Sequence, residues 1–147
     1  MIEGVIVKNL ARHKDSRGFF EELIRSTDEF FKEGFGQWSH SLRKEGTVVA
    51  WHYHPTQVDW WYVAKGILKT ALYDLRKDSK TRGEINEFIL SEEGENVVLK
   101  IPSMVAHGFK VLRGPAELFY ITSKTYNPEE EERIPEDDPK IKYDWSK

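Results

Sequence analysis

The stretch "GTVVAWHYHPTQVDWWYVAKG", residues 46–66, decides the fold. Apolar and polar residues alternate on either side of a Pro-Thr break, the pattern of two strands joined by a turn. Side chains on a strand alternate between faces, so His52 and His54 point the same way and Tyr53 points opposite. On the second strand Asp59, Trp61 and Val63 share a face, which sets Asp59 near the histidine pair across the hairpin. Gly46 and Gly66 suit the turns that bound this unit. The same residues read as a metal site, as an acid/base site, or as the lining of a barrel.

Working outward, short apolar or alternating runs recur at 4–10, 67–75, 85–90, 96–101, 108–113 and 116–123, besides 46–54 and 58–64 in the opening stretch. That spacing predicts an all-β sandwich or barrel. "RKDSKTRGE" (76–84) reads as a hairpin connection and "GPAE" (114–117) as a tighter turn. Only "STDEFFKEG" (26–34) reads as helix, with Ser26 or Thr27 as cap and Gly34 as stop. The last residues, 136–147, are acidic and broken by proline; Tyr143 and Trp145 predict that this tail is tied down on the barrel.

The chain has 147 residues, enough for one domain (1–147) with a real core. A net charge of -3 argues against a nucleic-acid partner. Zero cysteines exclude disulfides, Fe–S clusters, thiolate zinc and a cysteine nucleophile. No N-terminal apolar run reads as a signal peptide or membrane span, so a cytoplasmic protein with no membrane partner is expected.

The spacing G-x5-H-x-H-x4-D-x6-G resembles the first cupin motif with Asp in the place of Glu, and "PSMVAH" (102–107) resembles the second, supplying His107. His52, His54, Asp59 and His107 then form a candidate set for a divalent metal ion; imidazoles and a carboxylate suit several metals. The alternative is that these histidines are hydrogen-bonded residues of the barrel interior.

Taken in order, "DSRGFFEEL" (15–23), "QWSHS" (37–41), "GTVVAWHYH" (46–54), "DLRKDSKTRGE" (74–84), "IPSMVAHGF" (101–109), "LFYITSKTY" (118–126) and "EDDPKIKYDW" (136–145) resemble the dTDP-4-dehydrorhamnose 3,5-epimerase family. The resemblance implies a cupin jelly-roll barrel, an all-β fold, as a homodimer without a metal or other cofactor, with its site in the barrel mouth. It implies an isomerase acting on a nucleotide-linked 4-keto sugar. Protons beside a ketone are removable because the charge left behind delocalises onto oxygen; a base on one face and an acid on the other then invert the centre. By motif position His52 is the base, Asp138 orients it, and Tyr120 returns the proton. Read alone, Tyr120 equally suits a core tyrosine and Asp138 a turn before Pro139. Substrate-binding positions of the family fall on Arg17, Glu22, Gln37, Ser39, His107 and Glu131. Arg17 has the fork geometry that fits a diphosphate, and equally that of a surface arginine paired with an acid.

Two departures matter. The family's R-G-L-H is "VAWH" here, so a cation gives way to Val49. The lysine that the family carries near the enolate oxygen is Asp59. Exchanging attraction for repulsion at about 4 Å costs on the order of 8 kcal/mol at an effective dielectric near 20. That is about five to six powers of ten in rate. His54 stands where the family has Gln, so Asp59 arrives together with a second imidazole. A metal held by the four ligands would neutralise Asp59, but a metal-bound His52 could not also take the proton. Three readings stay open: a metal-free epimerase, a metal-dependent cupin, and a cupin that only binds sugar.

Overall fold

The two longest strands organise the molecule. In the computed structural model, which describes residues 1–94 and 96–147, the elements are β1 (Ile6–Asn9), β2 (His13–Asp15), β3 (Gly18–Phe20), a 3-10 turn (Glu29–Phe31), β4 (Gln37–Arg43), β5 (Val48–Tyr53), β6 (Asp59–Asp74), β7 (Ile85–Ser91), β8 (Val97–Ile101), β9 (Val105–Thr122) and β10 (Glu132–Arg133). β6 and β9 pair antiparallel along nearly their whole length, from Asp59 opposite Thr122 to Asp74 opposite Val105. Each bends midway and so serves two sheets. The first half of β6 and the second half of β9 join β8, β1 and β4; the other halves join β7, β5 and β10. This is the jelly roll that the family resemblance implies, and it meets the all-β sandwich or barrel expected from the spacing of the runs. β2 and β3 form a separate hairpin.

The bend explains the largest differences from the sequence reading. Runs 58–64 and 67–75 are one strand, because Gly66, at φ +82, absorbs the register shifts between Val63 and Leu68 instead of turning the chain. A Cβ at Gly66 would lie 2.6 Å from the Arg113 carbonyl oxygen. Runs 108–113 and 116–123 likewise belong to β9, with Gly114 and Pro115 inside it rather than in a turn. The predicted helix over 26–34 shrinks to a three-residue 3-10 turn. Its consecutive Phe30 and Phe31 are both buried, which a helix with one apolar stripe does not do. Asp28, in the cap position, accepts instead from Lys8 Nζ and the Arg25 N–H.

Burial falls into three layers. Between the sheets lie Trp61, Leu68, Leu72, Leu99, Ile101, Phe109 and Leu118. Outside the first sheet, Phe30 and Phe31 cover Trp60 and Val98. Outside the second, Ile141 and Trp145 of the tail cover Trp51, Ala71 and Ala106. Both long strands are thus covered on both faces, and their burial is near-continuous rather than alternating. Each fully buried large apolar side chain contributes about 1.5–3 kcal/mol. The second layer of cover comes from segments without strand periodicity. Among the described residues no helix is long and apolar enough to cross a membrane.

Candidate active site

His52 reaches the interior through an irregularity in β5. Val49 pairs with Phe109 and His52 with His107, so three steps along β5 match two along β9. Simple alternation from an inward Val49 would turn His52 outward. The bulge places Ala50 and Trp51 together on the outer side and returns His52 to the inner one. Trp51 is fully buried there, its ring 5.1 Å from that of Trp145. Opposite the bulge stands Gly108, where a Cβ would lie 2.5 Å from the Ala50 Cβ and 2.9 Å from the Val49 carbonyl oxygen. The glycine after His107 therefore lets the two strands close around the bulge.

The inner side opens into a cleft of about 340 Å³. His52, His54 and His107 line it from the second sheet; Gln37, Asp59, Trp61 and Tyr120 line it from the first, and Glu131 and Arg133 border it. His52 and Tyr120 thus face one space from different sheets. The His52 Nδ1 lies 3.6 Å from Glu131 Oε1, each side chain 23% exposed. β10 pairs Arg133 with His52 in the backbone ladder, and Glu131, two residues earlier, borders the cleft together with it. Burial holds the His52 imidazole below its ordinary range, the Arg133 guanidinium adds to this, and Glu131 opposes it. The ring stays neutral and able to accept a proton.

Asp138, the expected partner of His52, is not brought to it. Its Oδ1 accepts from the backbone N–H of Lys140, closing its own turn before the buried Ile141. The carboxylate beside His52 is Glu131, which the sequence reading places among substrate contacts.

The four-residue metal set also divides. Donor atoms of His54, Asp59 and His107 all lie within 4.8 Å of one another, and His52 is not among them. Asp59 is 3% exposed; its Oδ1 accepts from Gln57 Nε2 at 2.9 Å and its Oδ2 from Trp61 Nε1 at 3.2 Å. His107, 4% exposed, has Nδ1 at 3.0 Å from the Val105 carbonyl and Nε2 at 3.9 Å from Asp59 Oδ2. Burial lowers its pKa, with Asp59 opposing.

Of the other expected contacts, Gln37 lines the cleft, donates to Ser39 Oγ at 3.0 Å and accepts from the Tyr126 N–H. Ser39 meets the site through Gln37. Arg17 and Glu22 lie off the cleft: Arg17 sits on the β2–β3 hairpin, 88% exposed and paired with Asp15, and Glu22 pairs with Arg25. Arg133, His40, Gln57 and Tyr126 are cleft residues that the sequence reading missed. Arg133 and Tyr126 follow the last predicted strand run, where no periodicity points to them.

The sequence model of dTDP-4-dehydrorhamnose 3,5-epimerase matches residues 1–147. The chain is 46% identical over 149 residues to the spore coat polysaccharide biosynthesis protein SpsL of Bacillus subtilis, covering 99% of this chain and 97% of that one. It is 31% identical over 151 residues to dTDP-4-dehydrorhamnose 3,5-epimerase of Methanothermobacter thermautotrophicus, covering 98% and 80%. Among solved structures, the Legionella pneumophila dTDP-6-deoxy-D-glucose-3,5-epimerase RmlC in complex with dTDP-4-keto-L-rhamnose superposes with TM-score 0.88 at 30% identity, over 99% of this chain and 80% of that one.

Proposed function

Because the chain belongs to the dTDP-4-dehydrorhamnose 3,5-epimerase family, a family of isomerases, we propose that it epimerises a dTDP-linked 4-keto-6-deoxy sugar with His52 as base and Tyr120 as acid. The observation that carries this reading is the pair's placement, one residue from each sheet, on a single cleft. A sugar ring between them presents opposite faces to the two groups. His52, kept neutral by burial and Arg133, takes the proton beside the ketone. Glu131, 3.6 Å away, takes the orienting role first expected of Asp138 and stabilises the imidazolium that forms. Tyr120 delivers a proton to the other face, and no cofactor enters these transfers. Gln37 borders the same space as a sugar contact; Arg133 and the exposed Arg43 supply positive charge at its edge for the diphosphate.

The chain as a whole is read as one cytoplasmic domain that works as a homodimer. Phe19 and Phe20, 55% and 65% exposed on the β2–β3 hairpin, support the dimer. Arg17 and Glu22, on and beside this hairpin, stand away from the chain's own cleft, so their substrate contacts belong to a partner's site in this reading.

The test is deuterium entry from D2O into dTDP-4-keto-6-deoxyglucose at the carbons flanking the ketone. Wild type exchanges and inverts. His52→Ala stops exchange, whereas Tyr120→Phe keeps exchange and loses inversion. Undiminished exchange in His52→Ala removes the proposal.

A further inference from the structure

Asp59 is a buried carboxylate whose only neighbour within ion-pair distance, among the described residues, is His107. Its oxygens are held by Gln57 and Trp61, which are neutral donors. The His107 Nε2 stops 3.9 Å short, beyond hydrogen-bond length. The His54 ring, its centroid 5.5 Å from that of His107, completes the group, and its imidazole makes no hydrogen bond among the described residues. Three strong donor groups therefore converge on one point without bonding to one another.

We propose that His54, Asp59 and His107 bind one divalent transition-metal ion on the wall of the cleft, while His52 stays free as the base. Donors about 2.0–2.2 Å from a common ion lie roughly 3–3.5 Å apart, so separations up to 4.8 Å close with side-chain rotations of about 1 Å. The outer contacts already have the form of a metal site. Val105 fixes the His107 tautomer so that Nε2 carries the lone pair, and Gln57 and Trp61 orient the carboxylate. Two imidazoles and one carboxylate suit zinc, cobalt, nickel, manganese or iron, and the cleft leaves the remaining positions open. The ion places positive charge where Asp59 alone puts negative charge. Its catalytic consequence, a cation facing the enolate oxygen, rests on the epimerase reading; the binding itself does not.

The experiment uses the full chain purified without chelator, stripped, reloaded with Co2+ or Zn2+ and desalted. Elemental analysis should give about one ion per chain, Co2+ should give visible d–d bands, and Zn2+ should raise the melting temperature. His54→Gln and Asp59→Asn should each weaken retention at least tenfold and abolish the thermal shift. His13→Gln, on the remote hairpin, should match wild type. Less than a tenth of an ion per wild-type chain, or equal retention in His54→Gln and Asp59→Asn, overturns the proposal. Deuterium exchange that persists unchanged in the stripped protein leaves the epimerase reading intact and removes the ion's catalytic role. An ion bound as proposed, with no exchange on any keto sugar, keeps the metal site and removes the epimerase reading together with the ion's role in it.

Discussion

Two histidine centres share one cleft and differ in almost everything else. His52 sits beside Glu131 and Arg133, groups of opposite charge that are partly open to solvent. Two residues on, His54 faces Asp59 and His107, which are both buried, and among the described residues no Lys or Arg lies within ion-pair distance of Asp59. The first flank has charges that balance locally and suits moving a proton. The second gathers three metal-ligand groups around one carboxylate and suits holding a cation, as proposed above. The two imidazoles carry different chemistry because the side chains around them differ: His52, on β5, meets Glu131 and Arg133 at β10, whereas His54, just past the end of β5, meets Asp59 of β6 and His107 of β9. The objection that one imidazole would have to serve both as base and as metal ligand loses its force once the two tasks lie on separate flanks.

The comparison breaks most visibly if the base is removed. His52→Ala should lower deuterium exchange by about 10²–10⁴ while leaving Co2+ retention near wild type; loss of both would mean the flanks are one unit. Next in size is Trp145→Ala. Removing the cover from Trp51 should cost about 3–5 kcal/mol, read as a lower melting temperature. Because Trp51 anchors the bulge that turns His52 inward, exchange should fall, and Co2+ retention should fall less, since two of the three ligands, Asp59 and His107, stand on β6 and β9. Gly108→Ala tests the bulge from the other strand. The added methyl meets Ala50 at 2.5 Å, and overpacking of this kind costs about 1–3 kcal/mol in thermal or denaturant unfolding.

The smallest and sharpest effect is a pair of opposite shifts in pH dependence. The neutral His52 is the working form, and its folded pKa lies below the ordinary 6.5. Activity should therefore hold as pH falls through 6.5 and be lost only when the ring protonates at lower pH. By the same sign, the ring's contribution to folding is complete above 6.5 and declines as acid protonates it more readily in the unfolded chain. Glu131→Gln removes the group that raises this pKa and should move the acid limb of kcat/KM lower. Arg133→Gln removes one that lowers it and should move the limb higher, each by less than about one unit. Shifts of the same sign would show that Glu131 and Arg133 do not flank His52 as described.

Much of the architecture was legible because period-two alternation is a local property. The strands on either side of Pro55, the runs of β1, β7 and β8, and the shared face of His52 and His54 all follow from it. The hairpin expected over 46–66 does not form: β5 and β6 each pair with β9 and not with one another, and the bulge in β5 sets which way His52 points. Glycine and proline misled where they bend a strand rather than end it, at Gly66 and at Gly114–Pro115. β4 was missed: "QWSHSLR" puts Trp38 and Leu42 on an exposed face, so its polarity hides the strand. His52 meets Glu131 rather than Asp138, the position that the family motif implies, because a motif position does not fix which acidic residue of the tail the sheet brings to the imidazole.

The sequence alone determined which residue types could do chemistry and that an antiparallel barrel would carry them, since alternation is set by covalent geometry from one residue to the next. Only the tertiary structure decided which carboxylate joins which imidazole. That choice depends on the bulge at Ala50–Trp51 and on the register of β10 against β5. Segments some eighty residues apart settle that register by how the sheet closes and what the tail buries, and no local period in the chain records it.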